Sequence, residues 1–171
     1  MLEPISWEEF IKISSPQYYV LLVTSAEGRT NLTGISWFSL VSWTPPLVML
    51  SVRSSRFGYK LLRQNPEFVV ALPSADQQAA AAMCGRKSGS RTDKVKEGGF
   101  TFQPATKISA PLLAEATACL ECRIKNEIEV GDHQLILAEV LACYGDWERS
   151  AHVYTTSYER FYSLNHERKN D

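Results

Sequence analysis

With 171 residues, 44% of them hydrophobic and 22% charged, the chain has the size and make-up of one globular domain able to bury a single core. Eighteen basic side chains against nineteen acidic ones leave a net charge of −1, so no concentrated positive field exists to meet nucleic acid or an anionic membrane. No run of about 18 apolar residues is present to span a bilayer.

The opening Leu2-Glu3-Pro4-Ile5-Ser6-Trp7-Glu8-Glu9 is acidic where a secretory signal is basic and then apolar, so the expected compartment is the cytoplasm. Four cysteines, Cys84, Cys119, Cys122 and Cys143, suit a reducing compartment. Tyr18 to Thr24 is an unbroken β-prone run and reads as a strand buried on both sides, turning at Ala26-Glu27-Gly28-Arg29. Asn31 to Leu40 reads as a second strand. After Pro45-Pro46, Leu47 to Arg53 reads as a third, with Leu47, Met49, Ser51 and Arg53 on one face that turns polar like the mouth of a barrel.

Phe57 to Gln64 has helical spacing and stops at Asn65-Pro66, and Glu67 to Leu72 is another strand. Ser74 is an N-cap for an alanine-rich helix, Ala75 to Cys84. Gly85 to Gly99 reads as a glycine-rich basic loop with at most a short helix after Asp93. From Leu120 to Val130, Leu120, Cys122, Ile124, Ile128 and Val130 alternate with charged residues, predicting one buried and one solvated face. Gly131-Asp132 is a two-residue hairpin signal, and His133 to Cys143 returns as the partner strand. The tail carries Tyr154, Tyr158, Phe161 and Tyr162 and is expected to fray from about residue 163. Nothing divides the chain, so residues 1–171 form one domain. About six strands with two short helices suggest a mainly β barrel.

Cys119-Leu120-Glu121-Cys122 has the spelling of a zinc or redox site, but residues three apart on a strand point to opposite faces. The usual signatures of nucleophilic hydrolysis, zinc proteolysis and nucleoside triphosphate binding are missing, which leaves chemistry supplied by a bound cofactor. Arg86, Lys87, Arg91 and Lys94 stand among Gly85, Ser88, Gly89 and Ser90. That segment is either an anion-binding loop or a solvated one.

The order of these pieces resembles the flavin-reductase-like (flavoredoxin-like) family. The resemblance runs from Leu22-Val23-Thr24-Ser25, Asn31 and Ser36-Trp37-Phe38 through Pro45-Pro46-Leu47-Val48 and Ser51-Val52-Arg53. It continues through Glu67-Phe68-Val69-Val70, Ser88-Gly89-Ser90-Arg91-Thr92-Asp93-Lys94 and Ala110-Pro111-Leu112 to Gly131-Asp132-His133, covering roughly residues 18 to 145. Ala71 and Ala138 depart from it, standing where relatives often have Asn and Gly.

The resemblance implies a homodimeric split β-barrel with FMN in a groove near the subunit interface. It implies flavin contacts at Asn31, Thr33, Ser36 and Trp37, and others at Ser51, Arg53, Lys94 and His133, with Phe161 or Tyr162 covering the ring. The implied activity is NAD(P)H-dependent reduction of a flavin, a ferric complex or a protein acceptor. A non-enzymatic FMN electron carrier and a pyridoxamine-phosphate-oxidase-like enzyme are the rival readings.

Overall fold

The computed structural model describes residues 2–149, 151–157 and 160–165. In chain order its elements are α1 (Trp7–Ile13), β1 (Gln17–Tyr18), β2 (Val20–Ala26), β3 (Arg29–Ile35), β4 (Phe38–Trp43), β5 (Pro46–Arg53), α2 (Phe57–Leu62) and β6 (Glu67–Pro73). A 3-10 turn, Ala75–Gln77, leads into α3 (Gln78–Arg86) and α4 (Lys94–Gly98). The chain continues through β7 (Phe102–Gln103), β8 (Leu112–Leu113), β9 (Ala116–Val130), β10 (His133–Gly145), β11 (Ala151–Ser157) and β12 (Arg160–Asn165).

Seven strands form one antiparallel sheet in the order β3-β2-β6-β9-β10-β5-β4. Its two edge strands, β3 and β4, are consecutive in the chain and separated only by Ser36-Trp37. The backbone therefore leaves one edge and enters the other, and the Ser51 amide donates to the Trp37 carbonyl at 3.0 Å, extending the β4–β5 ladder up to the seam. This closes the sheet into a split barrel, leaving the short seam as its opening.

The unbroken apolar run of β2 is buried on both faces. Val20 and Leu22 point into the barrel with Val48, Leu50, Phe68 and Ile136, whereas Leu21 and Val23 face an outer layer with Cys84, Phe100 and Val153. Each of those four β2 side chains is fully buried and stabilises the fold by about 1.5–3 kcal/mol. Cys119 joins the outer cluster and Cys122 the inner one, on opposite faces as strand geometry requires. Burial pushes the two thiols up to about 11 and about 12, so neither is poised as a thiolate.

Several expectations are corrected. The Asn31–Leu40 strand is broken at the seam, and β1 splits from β2 because Tyr18 pairs with Tyr154 of β11 instead. Leu47, Met49, Ser51 and Arg53 lie on the outer face of the barrel, opposite Leu137, Leu135 and His133 of β10, because Val48, Leu50 and Val52 fill the inside. In β9 the alternation changes sides. Leu137 pairs with Asn126 but Ala138 with Ile124, so a bulge skips Lys125 and turns Ile128 and Val130 to the outer face, where they are 49% and 42% exposed. Ser163 and Leu164 pair with Val153 and His152 of β11. Helix α1 was unforeseen, although Ser6 and Glu9 complete a capping box there.

Glu121 is the other departure, a carboxylate with no exposure on the face expected to be solvated. It accepts from the Thr106 and Lys107 amides at 2.8 and 2.7 Å and from the Tyr144 hydroxyl at 2.6 Å, tying the 104–111 loop to β9. Burial alone would raise its pKa, but these donors outweigh burial and hold it below the usual carboxylate range. A depressed folded pKa gives stability that is present above about pH 4.3 and lost as pH falls through the folded value. Glu121→Ala should therefore destabilise by about 2–4 kcal/mol at pH 7 in urea melts, because buried donors lose their acceptor. The penalty should shrink as the pH is lowered below 4.

Candidate functional site

The seam gathers residues from three strands. Ser36 and Trp37 lie between β3 and β4, Ser51 and Arg53 near the end of β5, and His133 at the start of β10 directly opposite Arg53. The rings of Trp37 and His133 are 4.9 Å apart at 39°. His133 Nδ1 lies 2.6 Å from a carboxylate oxygen of Asp132, whose other oxygen is 3.4 Å from Arg53 Nε. The His133 hydrogen bond, helped by the His133 and Arg53 charges, holds the Asp132 carboxyl below its ordinary range. Asp132 thus fixes both its neighbours, and the tight Gly131-Asp132 turn of the β9–β10 hairpin, with Gly131 at φ 58°, makes that possible.

These residues border a groove of three adjoining cavities, and Arg53 lines all of them. The first, about 570 Å³, is lined by Trp37 and His133, by Thr155 and Thr156 of β11, and by residues of α1. The second, about 200 Å³, runs beneath Ser36, Ser51 and Arg56. The third, about 400 Å³, is bounded by Thr33, Arg56, Arg86, Lys87, Ser88 and Arg91. One end of the groove is aromatic and the other cationic.

The basic loop reaches this place through close backbone approaches. The Tyr19 hydroxyl donates to Ala81 O at 3.1 Å and lies where a Cβ on Gly34 or on Gly85 would stand, 1.9 and 2.3 Å away, so only glycines let α3 settle on β3. Three cations then hold the loop by its carbonyls. Arg56 donates to Gly85 O at 3.0 Å, Arg29 to Gly89 O at 3.1 Å, and Lys94 to Cys84 O at 2.9 Å and to Leu32 O at 2.6 Å.

Two of the expected flavin contacts also hold the loop in place, and Lys94 borders the cationic pocket as well. Lys94 is 4% exposed, and its ammonium, with its pKa lowered by burial, clamps β3 to α3. Asn31 is 3% exposed and sits under Gly89, donating to Thr33 Oγ1 at 3.0 Å and bordering a different cavity on the far side of the loop. Phe161 packs edge-on against Tyr19 in the outer core, 4.9 Å between centroids, and Tyr162 is half exposed. Neither borders the groove; Tyr158 lies outside the described residues. Arg56, Trp7 and Lys12, which do border it, carry no motif that marks them in the sequence.

The chain matches the flavin reductase like domain family over residues 14–163. It belongs to that family. It is 31% identical over 124 residues to an NADH-dependent flavin reductase, StyB, of Pseudomonas fluorescens, covering 72% of this chain and 68% of that one. It is 34% identical over 125 residues to an NADH-dependent FAD reductase of Streptomyces globisporus, with 71% and 65% covered. Among solved structures, flavoredoxin from Methanosarcina acetivorans superposes with a TM-score of 0.83 at 24% identity, over 98% of this chain and 94% of that one, and shares the fold.

The groove is graded along its length. Trp37 is an aromatic wall, Ser36 and Ser51 offer hydrogen-bonding groups, and Arg86 and Arg91 make no ion pair among the described residues. The two departures from the family pattern do not disturb this. Ala71 and Ala138 are fully buried, one in the outer cluster and the other inside the barrel.

Gly89 is the tightest point of the loop, since a Cβ there would lie 1.9 Å from Asn31 Oδ1 and 2.8 Å from the Phe57 ring. Gly89→Ala should destabilise by about 1–3 kcal/mol through overpacking. It should also weaken flavin nucleotides more than tenfold by lifting the loop, as a thermal melt and a binding titration would record.

Proposed function

We propose that this protein binds FMN in the groove and catalyses NAD(P)H-dependent reduction of that flavin, or through it of a small-molecule or protein acceptor. One observation carries the reading: an aromatic wall, a polar middle and a cationic pocket follow one another along one groove, bordered throughout by Arg53. The ring is assigned to Trp37 and His133, its polar edge to Ser36 and Ser51, and the phosphate to Arg86, Arg91 and Ser88. Thr33 closes the floor of the phosphate end, and Lys94 and Asn31 shape the loop from below.

Bound there, the flavin supplies a ring that accepts two electrons from a nicotinamide. The chain's own share is positional. Trp37 and the closed seam fix one wall of the cavity, Asp132 holds the His133 imidazole and the Arg53 guanidinium in place, and Thr155 and Thr156 leave room for a second planar group. Pre-set positions of this kind lower the barrier by orientation without an acid or base.

A homodimer accompanies this reading. On the outer face beside the groove, Leu47, Met49, Leu135 and Leu137 adjoin the exposed Ile128 and Val130, and Trp43 at the end of neighbouring β4 is 97% exposed. An apolar sheet face of this extent is suited to a second copy, which would wall the groove. Light scattering should give twice 19.2 kDa at micromolar concentration. A monomer mass would refute the dimer.

The function is tested by its colour and its reduction. The purified protein should be yellow or take up added FMN in calorimetry, and NADH or NADPH should bleach it anaerobically within seconds. A colourless protein that ignores FMN sinks the reading. A flavin reduced by dithionite but by neither nucleotide leaves an electron carrier in place of the enzyme.

A further inference from the structure

We propose that α1 carries the subsite for the dinucleotide electron donor, with Lys12 meeting its diphosphate and Trp7 one of its rings. This rests on reading the groove as a flavin site reduced by NAD(P)H. The largest stretch of the groove, about 570 Å³, is bordered both by Trp7, Glu8, Ile11 and Lys12 of α1 and by Trp37 and His133 of the seam. That volume is within the range of small-molecule sites. The cationic pocket that suits a flavin phosphate is at the opposite end, so this cavity has space beyond the flavin ring itself.

The helix is built to present a surface rather than to fill a core. None of its residues is buried, yet its first turn is locked. The Glu9 amide donates to Ser6 Oγ at 3.2 Å, and the Ser6 amide and hydroxyl both donate to Glu9 Oε2 at 2.8 Å. Trp7 and Phe10 stack with centroids 5.7 Å apart and planes 12° from parallel, which leaves Trp7 67% exposed and preset as a ring platform. The helix is tied down at its C-terminal end, where Ser15 Oγ donates to Thr156 O at 3.0 Å on the cleft's own rim.

The two cations of this cavity differ in their partners. Arg53 is engaged by Asp132, whereas Lys12 makes no ion pair among the described residues and faces the same cleft. A diphosphate brings the anionic charge that Lys12 lacks, and a nicotinamide dinucleotide brings rings on both sides of its diphosphate. Glu8, one turn before Lys12, is the remaining acid on the cleft. Its charge disfavours a further phosphate on the adenosine ribose and sets the subsite toward NADH.

ADP-ribose, which carries the diphosphate and adenine but cannot reduce flavin, isolates this subsite. Titrated into the FMN-loaded protein, it should bind at least tenfold more weakly to Lys12→Glu and about fivefold more weakly to Trp7→Ala. Lys12→Arg should stay within twofold of the parent, and FMN affinity should be unchanged in all three, since α1 buries nothing whose loss would unfold the barrel. The parent should also have a lower KM for NADH than for NADPH, with the gap narrowed by Glu8→Gln. ADP-ribose affinities within twofold of the parent in both Lys12→Glu and Trp7→Ala, in a protein whose flavin NADH does reduce, overturn the α1 subsite alone. A parent preference for NADPH overturns the role of Glu8. Failure of NADH and NADPH to reduce the parent overturns the groove reading and the subsite with it.

Discussion

Lys94→Met should lower stability by about 2–5 kcal/mol and weaken FMN and riboflavin to the same extent. Its ammonium donates to the carbonyls of Leu32 and Cys84, joining β3 to the end of α3 in an environment with 4% exposure. Methionine keeps the bulk and apolar stem but leaves two buried acceptors without a donor, each a loss of about 1–3 kcal/mol. With the clamp gone, α3 and the loop from Gly85 to Asp93 lose their fixed height over β3, so ring and phosphate contacts suffer together. Chemical denaturation and paired titrations with FMN and riboflavin measure both effects. A variant of parental stability that loses FMN alone would place Lys94 on the phosphate after all.

The second large effect separates phosphate from ring. Arg86→Ala combined with Arg91→Ala should weaken FMN by roughly ten- to a hundredfold, as a charge-assisted contact is worth about 1.5–3 kcal/mol. Riboflavin should be almost unaffected. Both side chains are exposed, border the cationic pocket and make no ion pair among the described residues, so their removal should leave the melting curve unchanged. The FMN loss should diminish at high salt, where screening already weakens the wild-type contact. Equal loss of the two ligands would move the phosphate away from this pocket.

The contrast between these variants shows what a basic, glycine-rich segment can and cannot disclose. Lys94 and Arg91 stand three residues apart and look alike as letters. One is buried because Asp93 caps a short helix, accepting from the Lys96 amide at 3.1 Å, and that turn carries Lys94 inward. The other stays on the rim of the groove. Local composition marks a cationic loop; only the packing of α4 against β3 decides which cation is free to meet a ligand.

The same division runs through the fold. The buried run of β2, the Gly131-Asp132 hairpin, the Ser74 cap and the opposed faces of Cys119 and Cys122 follow from periodicity and turn chemistry, which act over a few residues. Ser36 and Trp37, singled out through their ordered likeness to a known family, border the groove. The tertiary structure decided the rest, because each remaining feature depends on a partner distant in sequence. The bulge at Lys125 reversed the faces of β9, the loop at Thr106 buried Glu121, and the pairing of β5 with β10 brought Arg53 beside His133. The placement of α1 across the cleft is of the same kind: its sequence specifies a capped, exposed helix, and only the tie of Ser15 to Thr156 puts Trp7 and Lys12 on the rim of the site.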